Sequence, residues 1–207
     1  ILMENTVLPG KNINAQFTEK IIRIPRSYAF DVEEQLPDVT EAPCVNNNFI
    51  TFGSFNRLNK INREVIALWC EVLRKLPDSR LQMAGMPSDG APDELLTWFK
   101  EEEISEDRLY FYPRSGFVEY LKLHNQVDFC LDTFPYTGGT TTMHALWMGV
   151  PTLTLIGDTY PSAQGGAVNN RAGLSQYFIA DSQAEFVAKA LFLAENKDIL
   201  KNMKYSL

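Results

Sequence analysis

The stretch Val127–Leu155, VDFCLDTFPYTGGTTTMHALWMGVPTLTL, decides how the chain is read. Val127–Leu131 is an apolar strand and Thr137–Gly139 a glycine-containing turn. Thr140, Thr141 and Thr142 open a short helix, and Thr152–Leu155 is a second apolar strand. Strand, turn, helix and strand in this order make a βαβ unit. The two glycines let the backbone approach a ligand closely, and the first turn of a helix carries free N–H groups at the positive end of its dipole. With the threonine hydroxyls added, the junction suits a phosphate or diphosphate held without a cationic side chain. The same residues suit an ordinary strand–helix junction equally well, with Thr140 and Thr141 as helix caps and the glycines as turn residues.

The alternation extends to both sides. Upstream, Phe49–Gly53 is a short buried strand followed by the loop SFNRLNKIN. Asn62–Leu76 then places Val65, Ile66, Leu68, Trp69, Val72, Leu73 and Leu76 at helical spacing, with Asn62 as cap and Pro77-Asp78 as stop. Arg80–Gly85 is a strand, Pro92 opens a helix with Asp93 and Glu94 in its first turn, Arg108–Pro113 is a strand and Phe117–His124 a short helix. Downstream, Asn169–Leu174 reads as a brief helix and Tyr177–Ala180 as a last strand. Ser182 with Glu185 forms a capping box, and Phe186, Val187, Ala190, Leu191 and Ala194 make the apolar face of the final clear helix. Short strands separated by helices predict an α/β fold with a Rossmann-like parallel sheet and helices on both faces. Ligands of such sheets bind beyond the carboxyl ends of the strands, where Gly53-Ser54 and Thr137–Gly139 are both expected as loops.

Residues 1–48 show no sustained period. They contain Pro9-Gly10, an amphipathic piece at Phe17–Pro25 and a proline-rich acidic run, a composition that suits a crossing segment before a lobe at residues 49–207. The first residue is isoleucine, so the chain is expected to be a piece of something longer.

With 207 residues and 45% hydrophobic content the chain can bury a substantial core. A net charge of −7 argues against a nucleic-acid partner. Membrane insertion is not expected, because no apolar run approaches the ~20 residues of a spanning helix and no signal peptide opens the chain. Cys44, Cys70 and Cys130 are far apart, and only two histidines are present, so neither a zinc site nor a disulfide framework is expected. The default setting is reducing and cytoplasmic, with Cys70 and Cys130 packed in the core. Glu101–Glu103 reads as a solvated helix end.

FGSFNRLNKI (Phe52–Ile61) and CLDTFPYTGGTTTMHALWMGVPTLT (Cys130–Thr154) together resemble the C-terminal catalytic lobe of the O-linked N-acetylglucosamine transferase and SPINDLY family of glycosyltransferases. The intervening elements agree in order and spacing, and the similarity runs from about Phe17 to the end. The resemblance implies the C-terminal lobe of a two-lobed GT-B enzyme, which binds the sugar nucleotide, with the acceptor held between lobes. Residues 49–207 would then be the nucleotide-sugar-binding lobe and residues 1–48 the tail of the preceding one. The implied partners are a nucleotide sugar, a protein acceptor, and the N-terminal catalytic lobe and tetratricopeptide repeats of a parent chain; no cofactor or metal is expected.

By the same resemblance Lys60 matches the lysine that contacts the donor diphosphate, where a cation neutralises charge on the departing group. Read on its own, Lys60 is a solvated loop lysine. Thr140 and Thr141 match the paired threonines that hold the diphosphate, and Thr142 continues the row. Four positions depart from the animal transferases: Arg57 replaces a glutamine, Gly139 a histidine, Tyr120 a further histidine, and His144 an acidic residue near the ribose. An imidazole can still hydrogen-bond a hydroxyl, but it is not acceptor-only as a carboxylate is. These departures leave the donor open between UDP-N-acetylglucosamine and GDP-fucose, and LDTFPY followed by GTTT is at least as close to the SPINDLY type. The leading expectation is a lobe that transfers a sugar to Ser or Thr of proteins, inactive when isolated. A non-catalytic nucleotide-binding or regulatory lobe is the alternative, favoured by Gly139 and His144. An NAD-type oxidoreductase is disfavoured because no G-x-G-x-x-G follows the first strand. Asp132 and Asp158 form no DxD pair, and Asp132 reads as a turn residue.

Overall fold

The structure is a computed structural model that describes residues 1–8, 13–25, 36–89 and 91–206. In chain order its elements are β1 (Leu2–Glu4), β2 (Ile22–Ile24), β3 (Thr51–Ser54), α1 (Arg63–Lys75), β4 (Arg80–Met86), α2 (Asp93–Glu101) and β5 (Leu109–Pro113). They continue as α3 (Phe117–Leu123), β6 (Phe129–Leu131), α4 (Thr140–Trp147), β7 (Thr152–Leu155), α5 (Tyr160–Arg171), α6 (Ser175–Phe178), β8 (Ile179–Ala180), α7 (Gln183–Glu195) and α8 (Lys197–Ser206). Strands β3 to β8 form one parallel sheet in the order β5-β4-β3-β6-β7-β8. From β3 the chain first moves outward to β5, then returns to β6 and moves outward the other way. The order therefore reverses between β3 and β6, and a crevice opens beyond their carboxyl ends.

Period-two alternation assigns the strand residues to two cores. Phe52, Leu81, Met83, Phe129, Leu131 and Leu153 face a buried cluster that includes the apolar stripes of α1 and α7. Asn62 caps α1 as expected, its Oδ1 accepting from the Val65 N–H at 3.0 Å. On the other face Cys130 and Val127 pack with Phe55, Ala84, Ala145 and Val150, beneath α3 and α4. Cys70 and Cys130 are core residues, and burial pushes the Cys70 thiol up to about 12. Glu101 and Glu102, at the end of α2, pair at the surface with Arg63 at 2.6 Å and Arg74 at 2.8 Å.

Several expectations are corrected. Gly53 and Ser54 belong to β3 rather than to a loop, and a Cβ at Gly53 would lie 2.8 Å from Val127 Cγ1. This glycine serves core packing, not ligand approach. Of the brief helix expected at Asn169–Leu174 only Asn169–Arg171 is helical, as the end of the longer α5, and Tyr177 and Phe178 lie in α6, leaving only Ile179–Ala180 as strand. Ser182 caps α7 by accepting from the Glu185 N–H at 3.2 Å, while the Glu185 carboxylate reaches back to the Asp181 N–H at 2.8 Å. Helix α8 was not expected at all.

The early residues also carry more order than their composition implied. Strands β1 and β2 pair in parallel, and Met3, Val7, Leu8 and Ile13 pack on Ala163 and Ala167 of α5. The Glu4 carboxylate, 3% exposed, meets Arg171 at 2.8 Å. Further on, the turn Pro43–Val45 tucks Cys44 into the main core, where its N–H donates to Asp128 Oδ1 at 2.7 Å. Pro9-Gly10 and residues 26–35 of the proline-rich acidic run lie outside the described residues. Among the described residues no helix is long and apolar enough to cross a membrane.

Candidate functional site

The two loops that leave β3 and β6 build the site. After Ser54 the chain runs through Phe55, Asn56 and Arg57 into a 3₁₀ turn at Leu58–Lys60; after Leu131 it runs from Asp132 to Gly139 and enters α4. A groove of about 680 Å³ lies at this edge, and Asn56, Arg57, Gly85, Arg114, Tyr120, Thr141 and His144 are among its lining residues.

Asp132 holds the two loops together. It is 1% exposed, and its Oδ1 accepts from the N–H groups of Thr133 at 2.9 Å and Gly138 at 2.8 Å and from Asn56 Nδ2 at 3.0 Å. Its Oδ2 accepts from the Thr154 hydroxyl at 2.8 Å, and its backbone carbonyl accepts from the Trp69 indole at 3.1 Å. Burial pushes this carboxyl above the usual carboxylate range, and the same hydrogen bonds pull it back. The expected turn residue is thus a buried anchor. It spans the point where the strand order reverses.

Helix α4 begins at Thr140 with Gly139 as its N-cap residue, and no side chain caps it. This corrects the expectation that Thr140 and Thr141 cap the helix. The first-turn N–H groups have no partner within the helix and face its positive dipole end. Thr140 is exposed. Thr141 is half-buried on the groove wall and donates its hydroxyl to Asn56 Oδ1 at 2.9 Å. Thr142 is buried, with its hydroxyl packed towards Gly138 and turned away from the groove lining. At Gly139 an added Cβ would lie 2.8 Å from Gln164 Oε1, so α5 occupies the space a side chain there would need.

Lys60 stands over the turn that precedes α4. Its ammonium donates to the Thr137 carbonyl at 2.9 Å and lies 4.0 Å from the Tyr136 ring centroid. Partial burial lowers its pKa below the ordinary lysine value, with Asp132 opposing that shift. Arg57 is exposed on the groove wall. Farther into α4, His144 Nδ1 lies 3.2 Å from the Tyr120 hydroxyl, and the Phe117 ring stands edge-on to His144 at 5.1 Å. Burial lowers the His144 pKa, so the imidazole is neutral at pH 7, and burial raises that of Tyr120, so the phenol keeps its proton.

Under this wall His124 is fully buried, stacked on Phe55 at 3.8 Å, with Nδ1 close to the Tyr120 carbonyl at 3.1 Å. A carbonyl can only accept, so Nδ1 carries the proton. Burial drives the His124 pKa down to about 3. The native state therefore stays neutral where the unfolded chain protonates, and stability falls as pH drops from about 6.5 toward 3. The expected slope from this group is about 1.4 kcal/mol per pH unit below 6. Urea midpoints of the wild type and His124→Phe between pH 7 and pH 5 check it; parallel pH profiles would contradict the assignment.

The structure thus brings Arg57, Tyr120, Thr141 and His144 to one groove. Gly139 and Thr140 stand at the helix start, Lys60 stands on the adjoining turn, and Thr142 points inward. Sequence reasoning missed Asn56 and Arg114, and misread Asp132. A helix N-terminus, nearby cations and an aromatic wall can together receive a nucleoside diphosphate. Among the described residues no cluster of His, Cys, Asp or Glu is placed to hold a metal ion.

Comparison with known proteins agrees with this geometry. Residues 31–207 match the family described as Glycosyl transferase family 41. A barley (Hordeum vulgare) protein named probable UDP-N-acetylglucosamine–peptide N-acetylglucosaminyltransferase SPINDLY is 32% identical, over 98% of this chain and 22% of its own length. The Arabidopsis thaliana protein of the same description but named SEC is 27% identical, over 92% of this chain and 20% of its own. A solved O-GlcNAc transferase variant from Thermobaculum terrenum superposes with a TM-score of 0.84 at 28% identity, covering 99% of this chain and 39% of its own. The fold is the Rossmann-like C-terminal lobe of a GT-B glycosyltransferase. Within that class the chain belongs to glycosyltransferase family 41. It spans about a fifth of the length of the curated relatives it matches.

Proposed function

We propose that residues 49–207 are the donor-binding lobe of a larger protein O-glycosyltransferase, with residues 1–48 as the tail of the preceding lobe. The enzyme transfers a sugar from a nucleotide donor to Ser or Thr hydroxyls of proteins. The observation that carries this reading is the groove at the β3/β6 reversal, bounded by the uncapped start of α4 and flanked by Arg57 and Lys60. The relatives' names support a peptide acceptor and UDP-N-acetylglucosamine as donor; GDP-fucose is the competing donor, raised by the departures at Arg57, Tyr120, Gly139 and His144.

In this reading the diphosphate lies against the first-turn N–H groups of α4. Lys60 and Arg57 neutralise the charge that grows on the leaving group as the sugar–phosphate bond breaks. The nucleoside extends along the groove toward Tyr120 and His144. The acceptor hydroxyl approaches from a second lobe, which also excludes water.

Two outcomes follow for the 207-residue chain. UDP or GDP raises its melting temperature in a thermal-shift panel, whereas NAD does not; stabilisation by NAD alone, or by none of the three, would overturn the reading. The chain also fails to transfer sugar to a protein acceptor, because positioning of the acceptor is lost with the other lobe. Transfer at a rate comparable to a full-length enzyme would show that the catalytic groups have been misplaced.

A further inference from the structure

We propose that Tyr136 is a specificity-determining residue whose exposed ring is the floor on which the transferred sugar packs, across Lys60 from the nucleoside groove. This rests on the donor-lobe reading and deepens it by one subsite.

The backbone of the turn at 133–138 is committed to the fold, and the Tyr136 side chain is not. The Tyr136 carbonyl accepts from the Thr133 hydroxyl at 2.7 Å, and the Phe134 carbonyl accepts from the Asn62 amide at 3.1 Å. Thr137 ties the turn to α5. Its N–H and its hydroxyl both donate to the Pro161 carbonyl, at 3.1 Å and 2.9 Å, and the hydroxyl oxygen accepts from the Gly165 N–H at 3.0 Å. The Tyr136 ring joins none of the buried apolar clusters of the described residues and is 49% exposed. An aromatic ring on a fixed backbone, left half in solvent, offers a large contact surface with few torsions still to be ordered.

The place of the ring beside Lys60 identifies what packs on it. The Lys60 ammonium lies 4.0 Å from the Tyr136 ring centroid, a contact that also keeps the ring oriented. Lys60 and Tyr136 both stand outside the lining of the groove, whose wall carries Arg57, Thr141, Tyr120 and His144. A donor diphosphate has two ends. With the nucleoside in the groove and the diphosphate at the start of α4 beside Lys60, the other end carries the sugar past Lys60 to the Tyr136 ring. A pyranose presents an apolar side made of its ring C–H bonds, and the negative face of an aromatic ring attracts those polarised hydrogens. The ring therefore adds affinity for the sugar and none for the free nucleoside diphosphate, which ends at Lys60.

Calorimetric titration of the 207-residue chain with UDP, GDP, UDP-N-acetylglucosamine and GDP-fucose tests the assignment. Tyr136→Ala is expected to weaken the nucleotide sugar that the wild type binds by about five- to tenfold, the scale of one aromatic contact, and to leave its parent nucleoside diphosphate within about twofold. Retained diphosphate binding also shows that the variant is folded. Tyr136→Phe keeps the ring and is expected to bind the nucleotide sugar as the wild type does. An equal loss for the nucleotide sugar and its parent in Tyr136→Ala would mean that the ring acts only through Lys60, and would overturn the assignment. So would no loss for either, a loss in Tyr136→Phe as large as in Tyr136→Ala, or a wild type that binds UDP or GDP but neither nucleotide sugar. Failure of the wild type to bind any of the four ligands would instead remove the donor-lobe reading, and the assignment with it.

Discussion

On the proposed donor-lobe reading, Lys60→Ala, made in the full-length protein that carries this lobe, is expected to lower turnover by about 10²-fold or more while the protein stays folded. The reasoning is electrostatic. As the sugar leaves, negative charge accumulates on the diphosphate, and a preorganised cation placed there in advance stabilises the transition state more than the ground state. Lys60 is preorganised: the Thr137 carbonyl and the Tyr136 ring hold its ammonium at the turn that feeds α4. Partial burial strengthens its field toward a ligand, since less water screens it. The structural cost of the substitution is small by comparison, about 1 kcal/mol for one hydrogen bond to a carbonyl. Steady-state kinetics together with a melting curve check the prediction. A well-folded variant with unchanged kcat would refute the role of Lys60.

Asp132→Ala is expected to destabilise the lobe by about 3–5 kcal/mol, a large part of a typical folding free energy. Four donors lose their acceptor together: two backbone N–H groups, the Asn56 amide and the Thr154 hydroxyl. All lie where water cannot replace the carboxylate, and an unsatisfied buried donor costs roughly 1–3 kcal/mol. Asp132→Asn is far milder. Its carbonyl oxygen still accepts from the three Oδ1 partners, and its amide can donate to the Thr154 oxygen. Urea unfolding of the two variants distinguishes an anchor from a simple turn residue. Equal and small losses in both would contradict the anchoring role.

Much of the fold was legible in the sequence because its signals are local. Helix α1 shows a single apolar stripe and a side-chain cap at Asn62, and the strands from β3 to β7 are short apolar runs between breakers. Helix α5 was not legible for a physical reason. Its sequence, YPSAQGGAVNNR, lacks a strong amphipathic stripe, since it is packed on both β7 and the early residues and is buried on more than one side. Gly165 and Gly166 weaken its helical propensity yet are required by contact: a Cβ at Gly165 would lie 2.8 Å from Thr154 Oγ1, and one at Gly166 2.8 Å from Ile156 Cδ1. Tertiary packing overrides propensity there. The last strand was read too long, as Tyr177–Ala180: β8 is two residues and follows α6 directly, so no period marks where it starts.

At the site, the motif residues Arg57, Tyr120, Thr141 and His144 were legible and do converge on one groove. The anchor was not. Asp132 and Asn56 are 76 residues apart, and Asp132 and Thr154 are 22 apart, so their partnership exists only once β3, β6 and β7 are side by side. Nothing in the local sequence separates a buried aspartate with four partners from an aspartate that ends a strand.

Amide hydrogen exchange of the 207-residue chain, with and without saturating UDP or GDP, tests the central claim most directly. Donor binding at the β3/β6 reversal predicts slowed exchange in two segments, Phe55–Lys60 and Thr137–His144, with the first-turn amides of α4 among the most protected, and little change in α2 or α7. Unchanged exchange in both segments, or protection centred elsewhere on the lobe, would contradict it.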